Sequence, residues 1–246
     1  MKYTFVLIAS VFLFAQCKQA KTIQPTGSYD TLGIKWTVVE EPNITYYFQD
    51  FSLQSGYATQ YVSYHDYAYT ELNATFNAQL PQKLRFFIWS DATLAAQKLN
   101  QQLGFTDPYH CTCYVRGDQS IGHEMTHVLS YWAWGRTPTS ETRFVNEGVA
   151  VAFDLNTYNR IDAAKTAISG QGIHSVTDLW SGSYQNGPEQ VFYPVAGAFM
   201  DYLYKQNQPA LFDSLIKNQT IESAQNIYGK DRLNALIADF DKQIGL

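Results

Sequence analysis

Apolar residues along this 246-residue chain change period several times, and each change marks an element. Residues 33–39 and 44–48 are β-rich runs separated by Glu40-Glu41-Pro42-Asn43, whose Pro and Asn are turn formers, so a hairpin is expected there. Across residues 55–79 an amphipathic helix is predicted, because Tyr57, Tyr61, Tyr64, Ala68, Leu72 and Phe76 recur every three or four positions. Its tyrosines are read as core. Pro81 ends it, and residues 83–89 carry the continuous apolar half of a buried strand. A helix over residues 90–103 and a strand over residues 111–116 follow. The apolar run from Val128 to Trp134 belongs to a core helix that begins near Gly122, with Ser120 as its expected N-cap. Residues 135–140 loop to a further helix over residues 141–156, and residues 157–190 read as a helix and then a loop lining one side of a cleft. Helical periodicity resumes at Val191 and ends in short amphipathic segments at residues 211–216, 221–228 and 231–244. Strands early and helices late make this an α+β chain, a mixed sheet packed on helices followed by a helical lobe.

The first 30 residues stand apart from that pattern. Met1-Lys2 and the apolar run over residues 3–15 read as a secretory signal, residues 1–16, too short to span a bilayer. Phe14-Ala15-Gln16-Cys17 resembles a bacterial lipobox, although Phe14 stands where Leu is usual and Gln16 where a small residue is usual. That resemblance implies a lipid on Cys17 and a place in the bacterial cell envelope, on the periplasmic or the surface side. Residues 17–30, polar and holding Pro25 and Gly27, then serve as a tether. The domain proper occupies residues 31–246, divided into a sheet-helix lobe (31–134) and a helical lobe (135–246).

Composition narrows the partners. The chain is 46% hydrophobic and 15% aromatic, which indicates a real core, and a net charge of −5 without any basic cluster excludes nucleic acid as a partner. Cys111 and Cys113 are too close in sequence to form an unstrained disulfide on a strand, so free or unusually paired thiols are expected. A second zinc site using His110 with these two cysteines lacks the C-x-x-C spacing of ordinary structural sites.

The chemistry concentrates between Gly122 and Glu147. His123-Glu124-Met125-Thr126-His127 is an H-E-x-x-H pattern, expected by chance roughly 0.003 times in a chain of this composition. Four residues of helix turn through about 400°, so the two imidazoles point the same way and can bind one metal ion. Zinc suits them, because it accepts neutral imidazole nitrogens and in catalytic sites takes three protein ligands, leaving a position for water. Glu124 sits beside that position as a base. Nineteen residues separate His127 from Glu147, which lies within Asn146-Glu147-Gly148-Val149-Ala150, room enough to finish one helix, turn and start another.

These two motifs resemble those of the gluzincin metallopeptidases, in particular the aminopeptidase N-like members, which carry N-E-G-F-A at nearly this separation from H-E-x-x-H. The resemblance implies a zincin-like fold with the site in the cleft between the lobes, one zinc ion on His123, His127 and Glu147, and Glu124 as general base. It further implies that residues 111–116 form an edge strand pairing with an extended substrate. Tyr193 matches a family tyrosine that stabilises the oxyanion, with one extra residue before Gly197. The G-x-M-E-N motif that grips a substrate's amino terminus in the aminopeptidases is missing, which favours an endopeptidase. Asp154 is a candidate acceptor for a ligand imidazole, and His174 a candidate helper. The expected function is zinc-dependent hydrolysis of peptides or proteins by a lipid-anchored enzyme. The alternatives are a catalytically silent binding lipoprotein on the same fold and hydrolysis of a bond other than a peptide. The sequence does not specify the oligomeric state.

Overall fold

The computed structural model describes residues 23–51, 55–117, 119–133, 142–182 and 187–246; the signal segment and Cys17 lie outside them. The fold is mixed α/β, with one six-stranded mixed sheet and ten helices among the described residues. Strands β1 (Gly27–Thr31), β2 (Ile34–Glu40) and β3 (Ile44–Phe48) form an antiparallel meander, so the hairpin expected across Pro42 is present. β4 (Leu84–Trp89) and β6 (Thr112–Arg116) continue the sheet in parallel, and β5 (Phe105–Asp107) closes it antiparallel to β6, giving the order β1-β2-β3-β4-β6-β5.

Two strands correct the sequence reading. β1 takes four residues from the expected tether, because Leu32 and Gly33 both adopt left-handed backbone (φ 57° and 71°) and fold Gly27–Thr31 back onto β2. Its side chains are mostly exposed, so no hydrophobic alternation announced it. β5 occupies the edge position assigned to residues 111–116 and covers β6 from Thr112 to Tyr114.

The sheet packs one face on α1 (Ser55–Phe76), whose buried side includes Ala58, Tyr61, Val62, His65, Ala68, Leu72 and Phe76; of the stripe expected there, Tyr57 and Tyr64 are exposed instead, because the buried face runs through Ala58, Val62 and His65. The other face carries a smaller cluster of Trp36, Phe87 and Trp89 under α2 (Ala92–Leu99). That helix is shorter than the expected 90–103. Asp91 caps it by accepting from the Leu94 amide, and Asn100 ends it in left-handed conformation (φ 51°).

α3 (His123–Trp132) runs from the end of β6 under the sheet, and α4 (Arg143–Phe153) follows it. Past α5 (Arg160–Ile168) and α6 (Thr177–Trp180), the long α7 (Glu189–Tyr204) packs more extensively on α4 than any other helix does. α8 (Pro209–Lys217), α9 (Ile221–Tyr228) and α10 (Lys230–Ile244) complete the helical part close to the expected bounds. One continuous core links α1, the sheet and all of these helices.

Candidate metal centre

α3 presents both histidines to one side, their ring centroids 5.0 Å apart and their planes nearly perpendicular. α4 crosses so that Glu147 faces them: its Oε2 lies 3.4 Å from His123 Nε2 and 3.5 Å from His127 Nε2. The three donor atoms all fall within 4.8 Å of one another, the one such group of His, Cys, Asp and Glu among the described residues. Those separations are longer than the optimum for a charge-assisted hydrogen bond. They match the edge of a tetrahedron, about 3.3 Å when each bond to zinc is roughly 2.0–2.1 Å. His123, His127 and Glu147 therefore have the donor types and the spacing to hold one such ion.

The clustered groups shape one another's ionisation. Burial pushes the Glu147 carboxyl up, but hydrogen bonding and charge from the two imidazoles more than reverse this and leave it far below the usual carboxylate range. For His127 burial works against protonation and the Glu147 carboxylate outweighs it, so the imidazole is held above its ordinary value. Glu124, one residue along α3 and buried, is raised by desolvation despite the downward pull of His127 and His123. Its Oε2 and the Nδ1 of His127 are buried without a hydrogen-bond partner among the described residues.

The donors open onto a cavity of about 1190 Å³. One wall is β5 with the residues leading into it, Gln101 to Thr106; another is α7 with Glu189 and Tyr193; Ile216 and Gln219 close it from the helical side. Gly104 has a left-handed backbone (φ 82°), and a Cβ there would run into the Gln119 amide and come within 3.4 Å of Glu124 Oε1. A residue without a side chain at that point keeps room beside the Glu124 carboxyl. The Gln119 side chain is anchored by accepting the Arg116 amide at 2.7 Å, which brings its amide to the cleft. Tyr193, half-buried, has its ring 6.2 Å from that of His123; burial and then Glu147 raise its hydroxyl's pKa, and Arg143 opposes them.

The structure thus brings together His123, Glu124, His127, Glu147 and Tyr193. Other candidates go elsewhere. Asp154 caps the C-terminus of α4 and does not face an imidazole: its carboxylate takes the Ser120 hydroxyl at 3.0 Å, the Asn156 amide at 3.1 Å and Arg160 at 2.8 Å. Ser120 is consequently not the cap of α3, whose N-cap is Gly122, in left-handed backbone (φ 94°) and without a side-chain bond. His174 is exposed before α6 and does not line the cavity. Cys111 and Cys113 are buried, free thiols, as one of the two expectations had it, and His110 pairs instead with Asp107 at 2.6 Å. The cleft glutamines Gln101, Gln102, Gln119 and Gln219, with Asn146, escaped sequence reading because an uncharged amide has no spacing signature; only the position of Asn146 beside Glu147 marked it. Compared with family profiles, curated proteins and solved structures, the chain matches none.

Proposed function

We propose that this chain is a zinc-dependent peptidase of gluzincin type, acting within its substrates, and that a lipid on Cys17 holds it to the bacterial cell envelope. The observation that supports the reading most is the convergence of two imidazoles and a carboxylate, all donor atoms within 4.8 Å and the carboxylate 3.4 and 3.5 Å from the imidazoles, with a buried glutamate one residue away, on the wall of a large cleft. His123, His127 and Glu147 hold the ion. When bound, zinc supplies electrophilic polarisation of a carbonyl and makes water more acidic. Glu124 takes a proton from the attacking water and returns it to the leaving amine; burial, which raises its pKa, suits both halves of that task. Tyr193 directs its hydroxyl to the oxygen that becomes negative as the carbonyl is attacked. Gln119 and the edge of β5 offer amide groups to an extended chain. The described lining residues include no Lys or Arg, which capture of a C-terminal carboxylate would call for. With the amino-terminus motif also missing, internal cleavage is favoured.

The test is cleavage of casein and of a broad peptide library by the mature chain, with and without a chelator. Internal cleavage that disappears on chelation and returns with zinc supports the proposal. Stoichiometric zinc without any cleavage transfers the reading to the binding lipoprotein.

A further inference from the structure

Arg143 opens α4 one turn before Glu147, and its side chain leaves that helix to cover the start of α7. The guanidinium carbon lies 4.3 Å from the ring centre of Phe192 and 5.5 Å from that of Tyr193. One nitrogen, Nη1, donates to the Gly187 carbonyl at 3.4 Å, and Nη2 is 3.8 Å from Glu189. Every one of these points belongs to residues 187–193. That part of the helix also lacks one internal bond, because Pro194 has no amide hydrogen to give the carbonyl one turn earlier, at Gln190. A flat cation over two aromatic faces supplies a tie with direction, which a lysine's point charge would not.

We propose that Arg143 is a positioning residue: it clamps the first turn of α7 to the first turn of α4 and so sets the Tyr193 hydroxyl against the donor group that α4 carries. The clamp itself stands on the contacts above, whereas its catalytic consequence rests on the peptidase reading. Both helices meet at their N-termini, so a small rotation of the Tyr193 ring there moves its hydroxyl relative to Glu147 without disturbing the buried crossing further along.

Two measurements separate the clamp from the reading. In metal-free protein labelled with carbon-13 at the tyrosine ring, the Tyr193 resonance, identified by its loss in Tyr193→Phe, is expected to shift or broaden in Arg143→Met and less so in Arg143→Lys. An unchanged resonance overturns the clamp whatever the protein's activity. In zinc-loaded protein, a phosphinic peptide, whose anionic oxygens imitate the oxyanion, is expected to bind about tenfold more weakly to Arg143→Met, and less than about threefold more weakly when the same change is made in Tyr193→Phe. Equal losses in the two backgrounds would show that Arg143 does not act through Tyr193. Zinc content stays at one per chain in every variant, and a loss of zinc in Arg143→Met would overturn the assignment to Tyr193 in favour of a role in the metal site. A phosphinic peptide that fails to bind the unaltered zinc protein removes the peptidase reading and leaves the clamp to the resonance measurement.

Discussion

Gly148 lies directly against the backbone of Ala196: a Cβ on Gly148 would stand 2.8 Å from the Ala196 carbonyl oxygen and the same distance from Met200 Cγ. This contact is where α4 and α7 cross, one residue beyond the candidate ligand Glu147 and three beyond Tyr193. At a free helical position Gly→Ala would stabilise by about 1 kcal/mol. Here the added methyl must push two helices apart, so Gly148→Ala is expected to destabilise by about 1–3 kcal/mol and to weaken zinc binding. Urea titration and competition with a metal chelator check the two effects. A Cβ on Gly197 would collide with the Val151 side chain, and Val151→Ala is expected to recover part of the loss caused by Gly197→Ala.

The donor assignment separates ligand from base. His127→Ala is expected to lose stoichiometric zinc, measured by elemental analysis, because two donors are left. Glu124→Gln keeps shape and burial but cannot accept a proton at neutral pH. It is expected to retain zinc and to lower turnover by about 10² to 10⁴, with Tyr193→Phe giving a loss of about 10². Zinc stripped by Glu124→Gln would make Glu124 a ligand.

His65 predicts a pH dependence of stability. It is buried in the face of α1 against the sheet, stacked on Tyr61 at 3.9 Å, with its Nδ1 2.9 Å from the Tyr61 carbonyl. Desolvation lowers its pKa to about 4, and the bond to Tyr61 only partly offsets this. Between there and about 6.5, the value in an unfolded chain, the unfolded state holds the additional proton, so stability falls as pH drops through that window and is unaffected above it. The loss amounts to about 3 kcal/mol by pH 4. Chemical denaturation at a series of pH values is expected to show a flatter profile for His65→Gln over that range, and an identical slope would remove the assignment.

Lipidation is tested at Cys17, outside the described residues. Cys17→Ser is expected to free the protein from the membrane fraction or leave the precursor uncleaved, read from fractionation and intact mass. No helix among the described residues is long and apolar enough to cross a membrane.

The local codes of this protein were legible because each is written over a few consecutive residues. Four-residue spacing put His123 and His127 on one face of α3, the recurrence of Tyr61, Ala68, Leu72 and Phe76 marked part of the buried side of α1, though Tyr57 and Tyr64 of the same series are exposed, and Pro42-Asn43 marked the turn between β2 and β3. The pairing partners of short polar segments were not legible. β1 and β5 contain little that is hydrophobic, and they join the sheet because left-handed residues at Leu32 and Gly33, and the antiparallel fit to β6, bring their backbones to an open edge.

For the site, the sequence determined the donor types and the helices that bear them, since imidazole and carboxylate chemistry and helical spacing are local properties. Tertiary structure alone decided that the 19 residues between His127 and Glu147 return the carboxylate to 3.4 and 3.5 Å from the imidazoles. It also decided that Asp154 pairs with Arg160 and that Arg143 reaches across to Tyr193. The crossing of α4 on α7 sets these distances. Its closeness depends on what each of Gly148, Gly197, Val151 and Ala196 meets on the other helix, a pairing between residues some fifty positions apart that no local pattern encodes.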